Sequence, residues 1–304
     1  MISGGAVAAL VLAVAAVLAV AATAQAADRG PAYPRLANVY LHGAVDPAKI
    51  PALGRWDVLI LDSVWSSAQL QALRSRNPDI KLFYYVCPYC IAVTPPPADS
   101  WRQMLYAYAQ DNDLWWRNAD RSIASDWPGV QLVNITARGP SGPLGPWRQY
   151  IAASVKGLVA SRPELDGVFY DNFWRSISWE QGTLIRVDSD CNPTHNPAGC
   201  DGVMDAPATL DTLWNQALRG LARDTRTRFD LLQAQRGADR PLVMLSNGSA
   251  DYFPWLNGTM YEHYPSGRGA PEPGNPHGYA WRRATLDYPG GYLAAPFAHD
   301  PYRI

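Results

Sequence analysis

Lysine is nearly absent from these 304 residues: three of the 26 basic side chains are Lys, and they are balanced by 27 acidic ones. The formal net charge is −1. No field of either sign therefore draws the surface toward nucleic acid or anionic lipid, and a neutral polymer or small molecule is the easier partner. Phenylalanine is also scarce, at 6 residues against 12 Trp and 16 Tyr. Trp and Tyr join a large apolar face to a hydrogen-bonding edge, so their excess over Phe suggests rings that are partly wet. A GxGxxG sequence is missing after the first apolar run, where the chain reads HGAVDP. That removes the main support for a dinucleotide-binding open sheet. After the N-terminal segment, no stretch is long and apolar enough to cross a membrane.

The N-terminal segment reads AVAALVLAVAAVLAVAA and leads to Ala24-Gln25-Ala26, a small-x-small cleavage pattern. Residues 1–26 are expected to be a signal peptide and 27–304 a single catalytic domain, secreted or periplasmic. MISGG ahead of the run carries no Lys or Arg, and an uncleaved anchor is the alternative, since about 20 apolar residues span a bilayer. Export permits disulfides, and the four cysteines form two local pairs, Cys87/Cys90 and Cys191/Cys200. CPYC is also a glutaredoxin-type tetrapeptide. The following IAVTPPP cannot start the helix that would lower a thiol pKa, so a stapled loop is the better reading. Asp188, Asp190, Asp201 and Asp205 surround the second pair; a calcium cage is an alternative there, but the spacing matches no EF-hand. No metal or cofactor is expected.

Short apolar runs alternate with amphipathic stretches, the pattern of parallel strands with crossover helices. Seven strands are expected: Ala37–His42, Asp57–Leu61, Lys81–Val86, Val130–Ile135, Gly167–Tyr170, Leu242–Leu245 and Thr259–Glu262. Helices are expected over Ser66–Arg76, Asp99–Asp111, Pro146–Ala160 and a longer segment carrying Leu210, Trp214, Leu218 and Leu221. The fold expected is α/β, a TIM (β/α)8-type barrel. The eighth strand is either weak, near residues 291–295, or missing together with the last βα unit.

In such a barrel the active site forms at the C-terminal ends of the strands. Here those ends carry His42, Asp62, Tyr85, Asp171 with Asn172, Asn247, and Glu262. Two carboxylates beside aromatic rings suit glycoside hydrolysis. One protonates the leaving oxygen while the other attacks the anomeric carbon or activates water, and their separation sets the stereochemistry. Asp171 and Glu262 are the expected catalytic pair. Asp62, Trp65, Tyr85, Asn172, Trp174, Asn247 and His42 are the expected substrate contacts, with Trp255 a further stacking candidate. Asp62, followed by Ser63 and an expected helix, reads more readily as a helix cap or loop hydrogen-bonder than as a substrate contact. The substrate expected is a polysaccharide or oligosaccharide. A carbohydrate-binding protein that has lost catalysis, on a truncated barrel, is the alternative.

The order WDVLILD, KLFYYV, VQLVNI, LDGVFYDN, LVMLSNG, LNGTMYEHY resembles bacterial glycoside hydrolases of the hypothetical glycosyl hydrolase family 15 type, related to endo-α-1,4-polygalactosaminidases. The likeness spans about residues 38–264. Its most specific pieces are DGVFYDN and an Asn-Gly followed by a strand ending on Glu. The resemblance implies a (β/α)8 fold and places Asp171 at the family's strand-end acidic position; it names no substrate.

Overall fold

A computed structural model describes residues 36–41, 46–97, 99–136, 145–182, 184–237 and 240–260. The chain divides into Met1–Ala37 and Asn38–Ile304, and the second unit carries the fold. Ten strands follow in chain order: β1 (Ala37–Tyr40), β2 (Val58–Leu61), β3 (Lys81–Val86), β4 (Cys90–Ala92), β5 (Arg117–Asn118), β6 (Val130–Leu132), β7 (Gly167–Phe173), β8 (Val187–Asp188), β9 (Val243–Gly248) and β10 (Gly258–Met260). The main sheet has the order β1-β2-β3-β7-β9-β10, parallel at every pairing from β2 to β10. Spatial order repeats chain order, as in a barrel wound in one direction. Among the described residues the result is a six-stranded partial α/β barrel.

The strands read as unbroken apolar runs because both of their faces are covered. Val58, Ile60, Phe83, Phe169 and Val243 form one cluster, with Tyr85, Leu245 and Met260 packed against it. Their alternate neighbours Leu59, Leu61, Leu82, Tyr84, Val168, Tyr170 and Met244 belong to the larger cluster shared with the helices. Two faces thus give two cores, a small inner one and a large one on the helix side.

The helices are α1 (Ile50–Leu53), α2 (Ser67–Arg76), α3 (Ser100–Asp111), α4 (Pro146–Ala160) and α5 (Pro207–Arg236). Ser66 caps α2 in a reciprocal box: Gln69 N donates to Ser66 Oγ at 3.4 Å and Ser66 N to Gln69 Oε1 at 2.8 Å. Asp99 caps α3 by accepting from Arg102 N at 3.0 Å. The 30 residues of α5, about 45 Å at 1.5 Å per residue, cross back from β7 to β9 and pack on α4.

One expected stave is not in the sheet. β3 pairs directly with β7, whereas Val130–Leu132 turns away and pairs antiparallel with Cys90–Ala92. The reason lies in VQLVNI itself, where Gln131 and Asn134 interrupt the apolar run. A central parallel strand must be apolar on both sides, and a small two-stranded ribbon need not be.

At the N-terminal end of the sheet, Asp166 is 2 % exposed and ties three elements together. Its carboxylate pairs with Arg74 at 2.5 Å and Arg240 at 3.1 Å, and accepts from Leu82 N at 2.8 Å. Arg74 and Arg240 also reach the Glu164 carbonyl, each at 2.8 Å. This guanidinium clamp fixes the turn from which β7 starts.

Candidate active site at the C-terminal rim

β7 begins as a regular stave and ends in an irregularity. Phe169 pairs in register with Tyr85 of β3 and Leu245 of β9, but after Tyr170 the register against β9 shifts and resumes only at Phe173 with Gly248. Asn172 takes φ +56°, in the left-handed region that Asn tolerates better than most residues. A bulge at a barrel rim re-aims side chains. Asp171 keeps the parity of Phe169 and faces the inner side, next to Asn247, which has the parity of Leu245.

Three donors converge on Asp171. The Tyr85 hydroxyl donates to Oδ2, Asn247 Nδ2 donates to Oδ1 at 2.9 Å, and the Asn172 backbone N–H donates to Oδ1 at 2.8 Å. Burial, then the charge of Asp171, hold the Tyr85 phenol far above its ordinary pKa, so it remains a donor at any working pH. Its ring stacks on Phe169 with centroids 6.3 Å apart. The side chain of Asn172 turns the other way, its Nδ2 lying 3.8 Å from Cys87 Sγ. Both cysteine pairs are bonded, Cys87 to Cys90 and Cys191 to Cys200.

Asp62, at the end of β2, is 5 % exposed and paired with Arg102 at 2.9 Å. The same guanidinium reaches Asp99 at 3.3 Å, and Asp99 accepts from Ser63 Oγ at 2.7 Å. This network lies close enough to Tyr85 for both Asp62 and Arg102 to act on its phenol. Asp62 therefore borders the site with its charge already matched.

The expected stacking tryptophans are corrected by their burial. Trp65 is fully enclosed in the helix-side core, edge-on to Tyr40, and its carbonyl accepts from the Tyr84 hydroxyl. Trp174 is also buried, its carbonyl taken by Trp214 Nε1 and the Tyr252 hydroxyl, both at 2.9 Å. Trp255 is half-buried against the same helix-side core. An indole enclosed by protein has no face left for a sugar. Among the described residues the exposed indoles are instead Trp127, at 72 %, and Trp179, at 40 %. His42 and Glu262 lie outside the described residues, as do residues 1–26 and 291–295.

Two acidic residues were not singled out from the sequence. Glu180, in the short turn Ser178–Glu180 that follows β7, is 3 % exposed, and burial followed by the charge of Asp126 pushes its carboxyl up to about 8. Asp126 is raised too, by burial and by the charge of Asp171. The buried Tyr89, inside the first disulfide loop, has its phenol raised by burial and then by Glu180, Asp126 and Asp171. The signal available in sequence was an acid adjoining a Trp in two separate loops, Asp126-Trp127 and Trp179-Glu180. Among the described residues, no group of three or more His, Cys, Asp or Glu side chains is arranged to hold a metal ion. Nor, among them, is any helix long and apolar enough to cross a membrane.

The family model described as hypothetical glycosyl hydrolase family 15 matches residues 74–275. Among curated proteins, none matches the chain in sequence. Solved structures also resemble it in part. A variant of the GH36 alpha-galactosidase AgaA from Geobacillus stearothermophilus, in complex with stachyose, is 11% identical with a TM-score of 0.44 over 75% of this chain and 30% of that one. The cycloalternan-degrading enzyme from Trueperella pyogenes, in complex with cycloalternan, is 12% identical with a TM-score of 0.40 over 76% of this chain and 33% of that one. This chain thus spans about a third of the length of those enzymes.

Proposed function

The chain belongs to hypothetical glycosyl hydrolase family 15, and on that premise we propose that it is an exported glycoside hydrolase acting on a polysaccharide or oligosaccharide. Asp171 is the carboxylate on which the chemistry turns, and Glu262 is its partner, the two dividing the roles of acid/base and of nucleophile or base. The observation that carries the proposal is the hydrogen-bonding of Asp171 by Tyr85, Asn172 and Asn247 at a strand's C-terminal end. A carboxylate held by three donors is oriented before substrate arrives, which is what attack on an anomeric carbon or on a positioned water requires. In sequence Glu262 lies two residues beyond Met260, which packs against the inner cluster. Cleavage of the leader after Ala26 and delivery outside the cytoplasm agree with the two disulfides.

Asp171→Asn is the direct test, because it keeps the shape and removes the charge. The expected result is a loss of about 10²–10⁴-fold in kcat/KM with oligosaccharide affinity retained, measured by turnover of chromogenic glycosides and by calorimetric binding. Glu262→Gln should behave in the same way. A protein that binds glycans and turns over no faster than its D171N variant is a lectin-like protein, and that outcome ends the hydrolase proposal.

A further inference from the structure

We infer that the Cys87–Cys90 disulfide is a positioning element of the Asp171 site: it fixes the sulfur against which Asn172 is set, and through Asn172 the backbone N–H that orients the carboxylate. The inference rests on the reading of Asp171 as the reacting carboxylate and adds a covalent bond to the parts that hold it.

The contacts run in one line. Cys90 opens β4, which is paired to β6 in a ribbon of its own. Its bond to Cys87 carries that fixed point back to the end of β3. Asn172 Nδ2 donates to Cys87 Sγ at 3.8 Å, and the Asn172 N–H donates to Asp171 Oδ1 at 2.8 Å. Sulfur is a weak acceptor, but the conformation it supports is a strained one. Asn172 holds φ +56° at the point where β7 loses its register against β9. The bridge has a second route to the same carboxylate. Tyr85, whose hydroxyl donates to Oδ2, stands on β3 two residues before Cys87.

The loop inside the bridge has other anchors. The Pro88 carbonyl accepts from Trp147 Nε1 at 2.7 Å, and the Tyr89 carbonyl accepts from Val133 N at 2.7 Å. The Tyr89 ring is buried, edge-on to Trp214 at 4.8 Å and to Trp116 at 6.4 Å. Pro88 and Tyr89 are thus built into the protein interior, whereas Cys87 and Cys90 are only half-buried, within reach of a reductant. What the S–S bond adds is a fixed side-chain torsion at Cys87. A free thiol samples the other staggered positions, and these carry the sulfur away from Asn172. Opening the bridge should therefore lower turnover and leave the barrel folded.

The chain has four cysteines, so a Cys191→Ser/Cys200→Ser protein carries this bridge alone and should keep the turnover of the unmodified chain. Dithiothreitol then opens it in protein already folded, giving two thiols as the dithiol closes to its cyclic disulfide. Hydrogen exchange of the Asn172 amide, followed by NMR, reads the contact with Asp171 without any substrate. It should quicken by about tenfold or more on reduction. The Leu82 and Val243 amides, which donate to Asp166 at the other end of β7, should keep their protection. On 4-nitrophenyl galactosides and glucosides of both anomers, reduction should lower kcat by about 10–100-fold with KM little changed. Asn172→Gly, made in the otherwise unmodified chain, keeps the left-handed backbone and its N–H and removes only the side-chain amide. It should lower kcat by about tenfold and shrink the further loss on reduction. An Asn172 amide that reduction does not move, or an N172G protein that responds to dithiothreitol as fully as its parent, overturns the inference. So does joint loss of protection at all three amides, which makes the bridge a general staple. Unchanged kcat on reduction, with D171N inactive, overturns it and leaves the hydrolase reading standing. If the oxidised protein turns over no faster than D171N, the hydrolase reading fails, and the exchange of Asn172 still decides whether the bridge positions Asp171.

Discussion

At the scale of single residues, Asp171 depends on its donors. Tyr85→Phe deletes one of them and leaves Oδ2 without the hydroxyl that it accepts from. A fully buried acceptor deprived of its partner costs about 1–3 kcal/mol, and half-buried Asp171 sets that as the upper range. The expected result is a fall of about 10–100-fold in kcat with KM little changed, since the ring and its contact with Phe169 remain. Glu180 gives a pH-dependent prediction with the opposite sense to a salt-bridged acid. Its folded pKa lies near 8 against an ordinary 4.5, so the native state holds more protons than the unfolded chain between those values. Stability should therefore fall as pH rises through that window, and E180Q should flatten the fall, as read from denaturant midpoints at successive pH values. The strand-end polarity of Asp171, Asn172 and Asn247 was legible in the sequence because a parallel strand announces its end by ceasing to be apolar. Glu180 and Asp126 were not, since a loop has no periodicity to say which side chains turn inward. Trp65 misled for a related reason. It sits close to a polar strand end, but the chain has by then turned toward the helix side, and ring chemistry alone does not distinguish a wet indole from a packed one.

At the scale of elements, the bounds of α4 and β3 fall where periodicity and apolar content placed them, and Ser66 and Asp99 act as caps of α2 and α3. Local rules suffice there, because capping and amphipathicity are decided within one turn of chain. The misplaced stave shows their limit: Val130–Leu132 has strand propensity, but which neighbour a strand pairs with is decided by the whole sheet. The element most dependent on a single side chain is the start of β7. Asp166→Asn should leave Arg74 and Arg240 near a buried neutral amide. Removing one partner of such a buried ionic group costs about 3–5 kcal/mol. The loss should appear as a lowered urea midpoint, with the catalytic constants of the remaining folded protein unchanged, because the clamp and Asp171 lie at opposite ends of the strand.

At the scale of the whole molecule, the order of the strands and the barrel-type winding were readable from the alternation of apolar runs and helices, because βα units have one favoured handedness and sequential strands are usually neighbours. Closure was not, since the sequence after Thr259–Glu262 shows no clear final strand. The second disulfide also acts globally. It joins Cys191 to Cys200, a separation of 9 residues, and loop-closure entropy over that span amounts to about 2–3 kcal/mol. Replacing both with serine should lower the unfolding free energy by that amount, read from the denaturant midpoint, and reducing agent, which also opens Cys87–Cys90, should lower it at least as far in the unmodified protein. The direct pairing of β3 with β7 has a broader consequence. The described residues between Cys87 and Asp166 leave the sheet and return to the adjacent position, so one connection carries both the side ribbon of Cys90–Ala92 with Val130–Leu132 and the crossover helix α4. Trp115, Trp116, Trp147 and Ile151 of that connection are built into the helix-side core, so variation that retunes the rim is expected at its exposed positions, such as Trp127, while the buried ones stay fixed.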